Sequence, residues 1–247
     1  MDDYVNGTID IPIGKSPVVF TFDDGYQNCI KYTADGTLDP DCVIGIFEAF
    51  YAEHPDFVPK ATFYLNQSVF GDDDFTRQKI DFIVRNPNYT LGNHTIDHSN
   101  LRKISKAEVA RIIVEEGELL EGLTGQTTFH FAVPFGEKPK AYFDWLKEDD
   151  FLGKYKMLSS LNVGWNPAPS PYDSNFNRYS INRITCGEDN CELHYWLDVL
   201  RDNPKRRYIS DGNPRIVTVP VKKADDLMLA ADDQRVPIIY DENGVIE

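Results

Sequence analysis

No apolar run in the 247-residue chain approaches the roughly eighteen residues that a membrane-spanning helix needs, so no membrane span is expected. The opening "MDDYVNGTID" has neither the basic nor the apolar region of a signal peptide, and any export signal is expected to have been removed. Positive charge is scarce as well. Lys and Arg number 25 against 40 Asp and Glu, a formal net charge of -15. That balance argues against nucleic acid as a partner, because phosphate binding needs clustered Lys and Arg. There are only four cysteines and no CxxC, which disfavours a zinc knuckle. The four fall as two local pairs, Cys29 with Cys42 and Cys186 with Cys191. Two small disulfide loops would favour an oxidising, extracytoplasmic compartment, and four unrelated thiols are the alternative. Neither an internal repeat nor a domain linker interrupts the chain, so a single domain over 1–247 is expected.

What is present is alternation. Short apolar runs ("VVFTF", "KATFYLN", "TLGNHT") take turns with helical patterns ("VIGIFEAFYAEHP", "FTRQKIDFIVRNP"), the grammar of βα units and a parallel sheet. The clearest helix is "SKAEVARIIVEEGELLEGLTG". Ser105 and Glu108 form a capping-box signature there, an apolar stripe runs from Val109 to Leu120, and Gly122 or Gly125 ends it. Further strands are expected at "TTFHFAVPFG", "KYKMLSS", "YSINRIT" and "PRIVTVPV", a short helix at "AYFDWLKED", and a longer one at "CELHYWLDVLRDNP" stopped by Pro204. "NPAPSPYDSNFN" reads as a long loop.

Two details point to chemistry. The first strand, read as buried, ends in Asp23-Asp24-Gly25. This is ordinary turn material, but paired carboxylates leaving an apolar strand also call for a cation or a shared proton. His94 and His98 follow the third strand directly, four residues apart, a spacing that suits one face of a helical turn gripping one metal ion. In a parallel α/β fold the ends of both strands face one rim. One aspartate can then complete a site of one carboxylate and two histidines, and its neighbour stays free as a base.

"TFDDG" and "HTIDH" resemble the first two motifs of the polysaccharide deacetylases of carbohydrate esterase family 4, the NodB-homology family, and "FAVPFG" looks like the third. The resemblance runs from Val18 to Arg183. It implies an α/β fold, a distorted (β/α)7 barrel with parallel strands and outer helices, and metal-dependent removal of N- or O-acetyl groups from glycans, zinc being the usual ion. Residue by residue it implies Asp24, His94 and His98 as metal ligands and Asp23 as the base that takes a proton from metal-bound water. The backbone amide of Phe135 would stabilise the oxyanion. The substrate expected is an N-acetylated cell-wall or extracellular polysaccharide, outside the cytoplasm. A glycan-binding or scaffold module that kept the metal residues, and an O-acetyl esterase such as one acting on acetylxylan, are the alternatives.

The chain departs from the family at two points. Many members carry an arginine where Ala132 stands, and we expect Arg183, in "INRIT", to take its place beside Asp23; a surface or structural arginine is the alternative. The late Leu-x-His motif has no match, since His194 lies in a helical pattern and His130 alternates with Phe129 and Phe131 in a strand; both read as structural. Trp165, in "GWN", with Tyr172 and Phe176, would either stack on sugar rings or pack back onto the fold.

Overall fold

A computed structural model of the chain describes residues 1–247 except 10, 72, 204, 205, 207, 242, 243 and 247, and for 244–246 the backbone alone. Pro204, expected to stop a helix, lies outside the described residues. In chain order the helices and strands are α1 (Asp2–Val5), β1 (Phe20–Phe22), α2 (Val43–Glu53), β2 (Ala61–Leu65), α3 (Thr76–Arg85), β3 (Tyr89–Asn93), α4 (Lys106–Thr124), β4 (His130–Ala132), α5 (Tyr142–Trp145), β5 (Ser159–Leu161), α6 (Leu193–Asp202), β6 (Ile216–Pro220), β7 (Val236–Asp241) and β8 (Gly244–Ile246). The chain divides into two compact units. Val19–Asn162 forms one; Met1–Val18 and Val163–Glu247 form the other.

The first unit is a sheet of five parallel strands in the order β1-β2-β3-β4-β5, a curled half-barrel with helices, as the βα alternation leads one to expect. Every residue of β2 is buried, because a strand flanked on both sides and covered by helices meets no water on either face. Phe63 stacks on Phe22 at 5.2 Å and lies in one cluster with Leu65, Ile80, Ile83 and Leu120, which brings the apolar faces of α3 and α4 onto the sheet. β1 is an edge strand and only half-buried, so the expectation of a buried first strand is corrected: one neighbouring strand covers it, not two. Gly92, in β3, is required by space. A Cβ there would lie 2.5 Å from the ring of the buried Tyr64, closer than packed side chains tolerate.

α4 begins as its sequence indicates. The Ser105 side chain accepts from the Glu108 N–H at 3.2 Å, and Gly125 closes the helix in the left-handed conformation. Its Glu116 is fully buried, and both carboxyl oxygens lack a hydrogen-bond partner among the described residues. Burial pushes its pKa up to about 9. The four cysteines are free thiols, which corrects the disulfide expectation. Cys42 has a different use: its sulfur accepts from the Gly45 N–H at 3.3 Å as the N-cap of α2.

In the second unit β6 pairs in parallel with β7, and β7 pairs antiparallel with β8. No strand forms over residues 179–185 beyond a bridge at Ile181, against expectation. Asn177 turns the chain there, its side chain accepting from the Tyr179 N–H at 2.9 Å and its carbonyl from the Ser180 N–H at 2.9 Å, and such local bonds compete with a ladder. "GWN" and "INRIT" do meet. Gly164 lies so close to the Arg183 carbonyl that a Cβ would fall 1.6 Å from its oxygen. Tyr172 and Phe176 pack back within this unit, Tyr172 under the Arg235 guanidinium at 4.8 Å and Phe176 edge-on to Tyr4 at 5.6 Å.

Candidate metal centre

The site is built at the C-terminal ends of β1, β2, β3 and β4, where the chain leaves a parallel sheet and side chains can converge. After β1, Asp24 and Gly25 take left-handed backbone conformations (φ 70° and 60°). Asp tolerates this region better than most residues. The turn reading of Asp-Asp-Gly therefore holds, and the turn sets the direction of the carboxylates. After β3, His94 and His98 lie in a loop. The four-residue spacing does not reflect a helical turn; left-handed residues at Thr95 (φ 64°) and His98 (φ 55°) coil the loop instead.

Asp24 Oδ1 lies 3.3 Å from His98 Nε2 and 3.6 Å from His94 Nε2, and the three ligand atoms all fall within 4.8 Å of one another. Asp23 Oδ2 is further off, 3.9 Å from His94 Nε2. His94 is buried, and its Nδ1 lies 2.7 Å from the Ala132 carbonyl. A carbonyl only accepts, so Nδ1 carries the proton and Nε2 faces the carboxylates. Burial pulls the His94 pKa below the ordinary imidazole range, against the opposing pull of Asp23, the Ala132 carbonyl and Asp24. The neutral ring then points a lone pair at two acidic side chains. Acceptors facing acceptors repel unless a cation lies between them.

The spacing fits one. Bonds of about 2.0–2.2 Å to a four-coordinate zinc ion put neighbouring ligand atoms about 3.3–3.6 Å apart, the two separations measured from Asp24. Asp24, His94 and His98 can thus hold a divalent ion, with positions left for solvent and substrate. Phe135 sits above them, its ring 4.5 Å from that of His98, and it too is left-handed (φ 58°) and exposed.

Three contributors were not foreseen from the sequence. Asn66, at the end of β2, donates to Asp24 Oδ1 at 3.4 Å. Tyr26 is exposed, and the charge of Asp24 together with a hydrogen bond to it raises the Tyr26 phenol pKa. The Ala132 carbonyl orients His94. Asn66 was open to detection because it stands on the same rim of strand ends; a backbone carbonyl leaves no trace in residue identity. His130 is buried against Ser159 Oγ at 2.8 Å and His194 is exposed on α6. Trp165 and Arg183 belong to the second unit, where the Trp165 carbonyl accepts from Trp196 Nε1 at 3.0 Å.

Residues 48–151 match the family model described as polysaccharide deacetylase. The resemblance carried by the motifs is borne out. That stretch contains His94, His98 and Phe135 and begins after Asp23 and Asp24. Over 141 residues the chain is 28% identical to a peptidoglycan-N-acetylglucosamine deacetylase of Bacillus cereus, covering 57% of this chain and 44% of that protein. The chain therefore spans less than half the length of this curated relative. Among solved structures, a polysaccharide deacetylase from Bacillus cereus is similar with a TM-score of 0.53 at 18% identity, over 74% of this chain and 50% of the other. A Streptococcus pyogenes deacetylase in complex with acetate gives 0.51 at 14% identity, over 80% and 74%. At such identities these two likenesses establish the fold, α/β of the polysaccharide deacetylase type. No helix among the described residues is long and apolar enough to cross a membrane.

Proposed function

We propose that the chain is a metal-dependent hydrolase that removes acetyl groups from an N-acetylated glycan outside the cytoplasm. The observation that carries this reading is the convergence of the Asp24 carboxylate with the His94 and His98 imidazoles, their ligand atoms all within 4.8 Å of one another, beside a second carboxylate, Asp23. A divalent ion held there, zinc by the chemistry of its ligands, would supply Lewis acidity toward the acyl oxygen and a more acidic bound water.

The residues of the chain have separable tasks. Asp23 stands at the edge of the ligand set and accepts the proton from the attacking water. His94 is fixed as the Nδ1–H tautomer by the Ala132 carbonyl, so it serves as a ligand and takes no part in proton transfer. Asn66 holds the Asp24 carboxylate in one orientation. The backbone N–H of Phe135 is the group we assign to the oxygen that becomes negative as the acyl carbon turns tetrahedral.

The test is acetate release from N-acetylglucosamine oligomers, peptidoglycan and acetylxylan, before chelation, after chelation, and after zinc is returned. Acetate should appear from the N-acetylated substrates, fall to background on chelation and return with the metal. Acetate from acetylxylan alone would assign an esterase. Glycan binding without acetate from any substrate would leave a binding module.

A further inference from the structure

The loop between the two histidines contains an uncommon conformation. Thr95 is β-branched and left-handed (φ 64°), a combination that side-chain crowding opposes and surrounding structure must enforce. The enforcing residue is Asn93, the last of β3 and 5% exposed. Its Oδ1 accepts from the Thr95 N–H at 2.9 Å, closing an Asx turn, while its Nδ2 donates to the Ile113 carbonyl of α4 at 2.8 Å. One residue further along, the Ile96 N–H donates to the adjacent α4 carbonyl, Ile112, at 3.0 Å. The loop is thereby tied to two consecutive carbonyls of the longest helix, and His94 is tied to β2 by its own N–H, 2.8 Å from the Leu65 carbonyl.

Only an amide performs both halves of this task. Aspartate would set an acceptor against the Ile113 carbonyl, serine keeps an acceptor for Thr95 but is too short to bridge to α4, and alanine keeps neither. We propose that Asn93 is a positioning residue for the metal centre. It holds Thr95 left-handed and anchors the loop to α4, and so fixes the separation of His94 and His98 on which ion affinity and coordination geometry depend. The inference rests on the functional reading above, in that it assumes these histidines are ligands.

The experiment uses the full chain, stripped of metal, with Asn93→Ser and Asn93→Ala beside it. Zinc affinity is measured by competition with a chromophoric chelator, and coordination geometry by the visible spectrum of the cobalt-loaded protein. Near-ultraviolet circular dichroism confirms that each variant is folded; if Asn93→Ala is not, Asn93→Ser carries the comparison. Loss of an orienting partner weakens a metal site by about 10- to 100-fold. Asn93→Ser is expected near the low end, Asn93→Ala near the high end, and both with altered cobalt spectra. Wild-type binding matched by both folded variants within about twofold, with unchanged spectra, would overturn the role of Asn93 and leave the metal centre standing. A wild-type chain that binds no zinc would overturn the functional reading and this inference with it.

Discussion

Asp23→Asn is expected to reduce acetate release by about 100- to 10,000-fold, the range for loss of a general base, with zinc affinity little changed. The reason is the geometry of the adjacent carboxylates. Asp24 Oδ1 stands 3.3 and 3.6 Å from the two imidazole nitrogens, a spacing that one ion can bridge. Asp23 approaches no closer than 3.9 Å to His94. Asparagine keeps the size and an oxygen of the side chain but cannot accept the proton, so the kcat falls while the ion stays. Asp24→Asn should show the opposite order, with affinity lost first and turnover lost as a consequence. Turnover and zinc affinity measured on both variants decide the matter. If Asp23→Asn lost zinc as severely as Asp24→Asn, Asp23 would be a ligand and the division of roles wrong.

The second large effect concerns stability. Glu116 is buried in α4 with both carboxyl oxygens unpartnered among the described residues, and its pKa is pushed up to about 9 by burial. In the unfolded chain the same group ionises near the ordinary glutamate value of about 4.3. Below that value both states are protonated and the group imposes no pH-dependent cost. As pH rises the unfolded chain sheds the proton that the native state keeps, so the native state loses about 1.4 kcal/mol per unit until the native pKa is passed. At pH 7 the loss comes to about 4 kcal/mol, a large part of the stability of an ordinary domain. Methionine has a similar length, favours helix and leaves no polar atom stranded. Glu116→Met should therefore stabilise the chain by about 4 kcal/mol at pH 7, a gain that shrinks toward pH 4. Urea unfolding of both proteins across this range gives the difference directly. A difference that did not vary with pH would mean that Glu116 is ionised in the native state.

Much of the fold was legible because local signals agreed with the tertiary structure. The capping box at Ser105 and the apolar stripe from Val109 to Leu120 marked α4, and a short, mostly apolar run marked β2, the strand buried along its whole length. Where the reading failed, another interaction prevailed. Residues 179–185 have strand-like side chains, yet the Asn177 turn takes up backbone groups that a ladder needs. The cysteine spacing suggested a bridge, but the Cys42 sulfur serves as a helix cap.

At the site, the identities of Asp23, Asp24, His94 and His98 were readable because few other residue types bind a metal. Their geometry was not. The histidine spacing suggested a helical turn, whereas the convergence comes from left-handed residues at Asp24, Thr95 and His98. The Ala132 carbonyl, which orients His94, comes from another strand end, and Asn93 acts through the Ile113 carbonyl of α4; both contacts become visible only when the fold brings these elements together.

Zinc bound per chain at equilibrium dialysis tests the central claim most directly, on the wild-type chain beside Asp24→Asn and His98→Ala, each checked for folding. One equivalent on the wild type and none on either variant is the predicted result. A wild-type chain that takes up no zinc, or variants that retain the full equivalent, would contradict it.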